Sequence, residues 1–193
     1  IMTGVPVLQP DLMTMRQGVW NRGVLEAAEA MDPLHADTCD LPAVASATRR
    51  LVRMAITRHD RLQQLVEKHV DPEETLGICR RIIGTGLVGG KSVGMLLARS
   101  ILKKADPRWR DLHEPHDSFY VGSDVFYTFL VRNGIWWVRE RQRDPQTYLD
   151  DAGTARQRIL IGNFPEYIEG QFSQMLDYLG QSPYIVRSSS LLE

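Results

Sequence analysis

From Ile83 to Met95 the chain reads Ile-Gly-Thr-Gly-Leu-Val-Gly-Gly-Lys-Ser-Val-Gly-Met. No other stretch narrows the fold as far, because it demands a glycine loop that opens a helix. Without a Cβ at Gly89 and Gly90 the backbone can take positive φ and bring its N–H groups up to an anion at the helix start. Lys91 adds a mobile positive charge at the same place. Nucleotide phosphates are therefore the leading expectation for what this chain binds.

A Walker A loop requires a glycine, four residues of any kind, then Gly-Lys-Ser or Gly-Lys-Thr. Counting back from Gly90-Lys91-Ser92 puts that first glycine at position 85, where Thr85 stands between Gly84 and Gly86. The length of a loop decides how it wraps a phosphate, so the mismatch argues against that motif. A P-loop enzyme also calls for an apolar strand running into the loop, whereas Cys79-Arg80-Arg81-Ile82-Ile83 is short and basic.

The 23 basic and 24 acidic residues leave a net charge of −1, so no overall field draws the chain to nucleic acid or an anionic membrane. Any phosphate site must be local. With 193 residues and 43% hydrophobic content there is enough for one generous domain or two small ones. Cys39 and Cys79 form no disulfide framework and no CxxC metal motif, which makes a reducing cytoplasm the expected compartment. Neither a signal peptide nor a run of about 20 apolar residues is visible, so no membrane span is expected.

Residues 1–40, interrupted by Pro6, Pro10 and Pro33, predict only a short helix around Gly23 to Met31. An N-cap at Asp40 predicts a helix running to about Val70, with Leu51, Met54, Ala55, Leu62, Leu65 and Val66 on its apolar stripe. Asp71-Pro72-Glu73-Glu74 starts another, ending near Arg81. After the glycine loop the pattern predicts a helix from Ser92 to Lys104, closed by Asp106-Pro107. A strand follows at Ser118–Val121, then a helix capped by Ser123 and running to Gly134. Further helices are expected from Asp144-Pro145 and from Pro165 to Leu179, stopped by Gly180, and a strand from Pro183 to Ser188.

Gly89-Gly90-Lys91 with its helix, Phe119-Tyr120-Val121 leading into Ser123-Asp124-Val125-Phe126, and Val186-Arg187-Ser188-Ser189 occur in an order that resembles one known family. It is the N-terminal nucleotide-binding domain of phosphoenolpyruvate synthase and pyruvate phosphate dikinase. The resemblance covers roughly residues 82–193 and implies a helix-rich α/β (α+β) fold, a partial ATP-grasp-like subdomain preceded by a helical segment, residues 1–81, of unassigned function. It implies ATP as cofactor, with Lys91 and Arg187 on the phosphates as the catalytic pair. Gly89, Gly90, Ser188 and Ser189 are implied as further binding residues. A flexible ammonium and a planar guanidinium converging on a polyphosphate suit phosphoryl transfer, which needs mostly positioning and charge stabilisation.

The family's magnesium ligands, adenine pocket, phospho-histidine domain and pyruvate-binding barrel are expected after Glu193, so the sequence reads as a fragment that cannot turn over alone. The stretch between Lys91 and Arg187, with Ile135-Trp136-Trp137-Val138 and helices around 145–179, is longer than the family's usual spacing and reads as a lid or as decoration. Family relatives phosphorylate glucans or an antibiotic, which leaves the acceptor open between these and pyruvate or phosphoenolpyruvate. The other classes are a P-loop-like NTPase with a shifted glycine and a non-catalytic helical interaction module working through residues 1–81.

Several other features have plainer readings. His113-Glu114-Pro115-His116 carries two imidazoles and a carboxylate, but the proline breaks helical pairing and no further ligand completes a tetrahedral set, so no metal site is assigned. Trp136 and Trp137, flanked by Ile135 and Val138, are expected in a core or against another domain. Arg139 to Arg143 reads as a solvated helical face, and Asp117 and Asp124 as helix caps or solvated acids.

Overall fold

In the computed structural model, which describes residues 18–32, 41–113 and 117–189, the predicted helix from Asp40 to Val70 is two helices. Asp40 itself lies outside the described residues, as do Cys39, most of the His113–His116 stretch and the proline-rich start. Helix α1 (Gly18–Ala30) precedes α2 (Leu41–Leu51), which widens into a π-helical segment, Val52–Ile56. There the Thr57 N–H donates to the Val52 carbonyl at 2.9 Å, and Thr57 turns to extended backbone before α3 (Asp60–His69) begins. The break is invisible to periodicity because Leu51, Ala55, Leu62 and Val66 stay in phase across it. Its reason is tertiary: the Ala55 carbonyl, left without a helical donor, accepts the Val88 N–H at 2.8 Å from the end of the glycine loop.

Helix α4 (Pro72–Cys79) starts at Asp71-Pro72 as its sequence requires, although the Asp71 carboxylate pairs with Lys104 at 2.7 Å and does not cap its own helix. Strand β1 (Ile82–Ile83) leads through the glycine loop into α5 (Gly90–Ala105), then α6 (Trp109–Leu112) and strand β2 (Tyr120–Val121). The strands pair in parallel, Ile82 with Tyr120 and Ile83 with Val121, which is possible only because α5 and α6 carry the chain back across. The fold is thus helix-rich α/β, with one two-stranded parallel sheet among the described residues. The main core joins Ala27, Leu51, Val52, Val66, Leu76, Ile82, Val88, Leu96 and Tyr120, so the N-terminal helices pack on the strand and helix that flank the loop.

The remaining helices are α7 (Ser123–Arg132), α8 (Trp136–Arg141), α9 (Ala152–Ile161) and α10 (Glu166–Leu179). No helix forms at Asp144-Pro145. The Asp144 carboxylate accepts the Gln146 N–H at 2.9 Å and the Thr147 hydroxyl donates to the Arg141 carbonyl at 3.0 Å, and these local bonds hold the chain in turns until Ala152. Pro183 to Ser188 takes no regular secondary structure and joins no ladder among the described residues, so the predicted strand is corrected to an unpaired segment. Ile185 and Val186 are each 87% exposed there, apolar residues of strand type without a neighbouring strand.

Helix α10 is part of the core and not ornament. Ile168 is fully buried with Ile83 and Val125, and Phe164, Tyr167 and Phe172 pack around them. Ile135 and Val138 are buried with Leu130 and Ala155, while Trp136 and Trp137 sit at the margin. The arginine run is not simply solvated: the Arg139 guanidinium lies 5.3 Å from the Tyr127 ring centre and that of Arg141 4.6 Å from Trp137. Replacing Ile168 by Ala is expected to cost about 2–5 kcal/mol in a denaturant melt, the range for emptying a large buried aliphatic site. A change within error would show that α10 is not built into the core behind β1.

Cys79 is a buried free thiol, and burial pushes it up to about 12. Because the folded value lies above that of the unfolded chain, its contribution is intact below about pH 8.5 and is lost as pH rises through about 12. In a Cys39→Ser background, Cys79 is expected to resist a thiol reagent at neutral pH and to label only as fast as the protein unfolds. Rapid labelling of the native protein would contradict the burial.

Candidate functional site

The glycine loop, residues 84–89, is held from three sides. Gly84 and Gly86 have φ of 72° and 89°, a region closed to most side chains, and this bends the loop back over the start of α7. Asp124 accepts the Thr85 N–H on one carboxylate oxygen at 2.7 Å and the Thr85 hydroxyl on the other at 2.8 Å. The Ser123 hydroxyl accepts the Leu87 N–H at 3.1 Å. In return, the Ser123 and Asp124 N–H groups donate to the Leu87 and Thr85 carbonyls at 3.1 and 3.3 Å. From α10, the Gln171 side-chain oxygen accepts the Gly84 N–H at 2.7 Å, and Ala55 takes the N–H of Val88.

Two sequence expectations change here. Ser123 does not cap α7, since Gly122 occupies the N-cap position and Ser123 turns toward the loop. Asp124 is neither a cap nor solvated but fastens the loop, and Asp117 pairs with Arg81. Burial raises the Asp124 carboxyl above the ordinary carboxylate range, against the lowering effect of its Thr85 hydrogen bonds.

Helix α5 starts at Gly90 with Gly89 as N-cap, two residues before the predicted start. Its first turn therefore contains Gly90, Lys91 and Ser92, with Lys91 exposed. The C-terminal segment reaches this turn. The Ser92 N–H donates to the Ser189 hydroxyl oxygen at 3.3 Å, and a Cβ on Gly89 would lie 2.4 Å from the Ser189 carbonyl oxygen. Only glycine permits that approach. The structure thus brings Gly89, Gly90, Lys91 and Ser189 together, whereas Arg187 and Ser188 stand exposed just before Ser189 and off any strand.

Ser92, Ser123, Asp124 and Gln171 were not expected in the site. Gly122-Ser123-Asp124 directly after a strand was the available signal for two of them, while Gln171 lies mid-helix and gives none. The strand that enters the loop is two residues long but buried, so the order of strand, loop and helix does not by itself distinguish a P-loop from the dikinase family.

A family model for the pyruvate phosphate dikinase AMP/ATP-binding domain matches residues 85–193, more than half of the chain. The chain belongs to that family. No curated protein and no solved structure gives a significant match. The match to the dikinase AMP/ATP-binding domain begins at Thr85, the residue that Asp124 holds, and takes in Lys91, Asp124, Gln171 and Arg187.

Among the described residues no three His, Cys, Asp or Glu side chains converge to hold a metal ion. The magnesium that the resemblance implies has its ligands expected after Glu193, and no chemical step is derived through it. No described helix is long and apolar enough to cross a membrane.

The closest backbone approach in the site is at Gly122, where a Cβ would lie 2.0 Å from the Thr85 carbonyl oxygen. Backbone on both sides cannot rotate away as a flexible side chain would. Gly122→Ala is expected to destabilise the protein by about 1–3 kcal/mol, as overpacking does, and to raise amide exchange at Thr85 and Leu87 first. Wild-type stability in a thermal melt would contradict this packing.

Proposed function

We propose that this domain holds the polyphosphate of ATP at the first turn of α5, with Lys91 on one side and the segment Arg187-Ser188-Ser189 on the other. The observation that carries this is the hydrogen bond from the Ser92 N–H to Ser189, which joins two segments 97 residues apart at one helix end. That end favours anions through the N–H groups of a helix start and the helix dipole. Lys91 supplies a point charge, and the Arg187 guanidinium, two residues before Ser189, reaches the same phosphates in planar, bidentate fashion.

In the finer reading, the domain is the ATP-binding part of a phosphoenolpyruvate synthase or pyruvate phosphate dikinase-like phosphotransferase in the cytoplasm. A phosphoryl group passes from ATP to a histidine on another domain and from there toward pyruvate. The division into a helical segment, residues 1–81, and an ATP-grasp-like part, residues 82–193, belongs to the same proposal, and the shared core around Ile82 and Val88 supports a bracing role for the first part.

The test is isothermal titration of the intact protein with ATP. Charge-assisted hydrogen bonds are worth about 1.5–3 kcal/mol each, so Lys91→Ala and Arg187→Ala are each expected to weaken ATP binding by about tenfold or more. Titrations indistinguishable from wild type would refute the proposed phosphate site.

A further inference from the structure

Asp124 is a half-buried carboxylate placed behind a loop that, on the reading just given, must face polyanionic phosphates. A negative charge in that position weakens anion binding, and burial makes it costly to keep ionised. Its retention there calls for a gain elsewhere, and the geometry shows where the gain arises. Both carboxylate oxygens are engaged with one residue, Thr85, at 2.7 and 2.8 Å, and the Asp124 N–H returns a bond to the Thr85 carbonyl at 3.3 Å. Three hydrogen bonds between two residues fix Thr85 in both position and orientation.

Thr85 sits between Gly84 and Gly86, both at positive φ, where the backbone has more freedom than anywhere else in the loop. An unrestrained Gly-Thr-Gly would sample many paths into α5. With Thr85 fixed by Asp124, Leu87 by Ser123 and Val88 by Ala55, the direction in which Gly89 and Gly90 enter the helix is set. The placement of the Lys91 Cα follows from that direction.

We propose that Asp124 is a positioning residue for the nucleotide site: by holding Thr85 it sets the shape of the glycine loop and hence the placement of the α5 first turn and Lys91 against phosphate. It touches no nucleotide itself. This rests on the phosphate-site reading above and adds to it a residue whose charge opposes the ligand but whose hydrogen bonds order the binding backbone.

Amide hydrogen exchange and ATP titration of the intact protein test it together. Asp124→Ala is expected to speed exchange of the residue 84–90 amides by about tenfold, the size expected from losing hydrogen bonds to a charged group. Exchange at Leu96 and Leu97 in the core should stay as in wild type, and the Kd for ATP should rise by a similar factor. Asp124→Asn keeps an acceptor for the Thr85 N–H and is expected to restore most of both effects, a rescue that mere filling of space would not produce. Thr85→Val removes only the hydroxyl bond and should fall between them.

If Asp124→Ala also speeds exchange in the core, Asp124→Asn and Thr85→Val decide the matter by the same two readouts. Wild-type loop exchange in Asp124→Ala and Thr85→Val, or faster loop exchange in them with unchanged ATP affinity, overturns the positioning role. Lys91→Ala is measured alongside. Weakened binding in Lys91→Ala with wild-type binding in Asp124→Ala overturns this inference alone, whereas a wild-type protein that takes no ATP overturns the phosphate-site reading with it.

Discussion

The reciprocal hydrogen bonding between the glycine loop and the first residues of α7 is the interaction on which the rest of the site depends. Each partner satisfies what the other leaves open. A helix start has N–H groups without helical acceptors, and a loop of glycines has carbonyls and N–H groups without a ladder. Thr85 and Leu87 present carbonyls to Asp124 and Ser123, and the side chains of those two residues accept the loop's own N–H groups in return. Gly122 makes room for this by lacking a Cβ that would strike the Thr85 carbonyl. The parallel pairing of β1 with β2 brings the two pieces into register, since the loop leaves β1 at Ile83 and α7 follows β2 after Val121.

The N-terminal helices contribute to the same construction. Where α2 widens at Val52–Ile56 and stops, the Ala55 carbonyl becomes available to Val88, so a defect in one helix becomes an anchor for the loop. On the opposite side Gln171 of α10 fixes Gly84, and Ile168 of the same helix is buried against Ile83. Anchors from α2, α7 and α10 surround a loop that would otherwise lose much conformational entropy on ordering. The residues between Lys91 and Arg187 therefore do more than lengthen the chain, since one of their helices closes the core on which the loop rests.

Much of this was legible in the sequence wherever local chemistry decides the outcome. Pro72 after Asp71, Gly180 after Leu179 and the apolar spacing from Val93 to Leu102 mark helix ends and faces through steric and hydrophobic rules that act over a few residues. The π segment was hidden because its cause, the Val88 N–H, lies 33 residues away from Ala55 and leaves the apolar period undisturbed. The segment from Pro183 to Ser188 has strand composition, but a strand exists only through a neighbour, and composition says nothing of whether one is present. In the site, the glycines and Lys91 were visible because few residue types serve those purposes. Asp124 was not, since an acid in the first turn of a helix usually has the dipole as its sufficient reason.

The mismatch with a Walker A loop has a physical counterpart. A P-loop turns its backbone N–H groups inward to cradle phosphates. Here the N–H groups of Gly84, Thr85, Leu87 and Val88 are all given to the protein, to Gln171, Asp124, Ser123 and Ala55. A loop whose donors are committed in this way acts as a brace, and the proposed anion site falls instead at the first turn of α5. There the Ser92 N–H meets Ser189, a neutral hydroxyl that a phosphate oxygen can replace while gaining the more favourable charge-assisted bond. With a chain net charge of −1 giving no long-range attraction, the polyphosphate site proposed above rests on short-range contacts at that helix start and the cations beside it. A rigid brace behind the helix start is then worth more than additional charge, because a few short-range bonds bind strongly only when their donors are already in place.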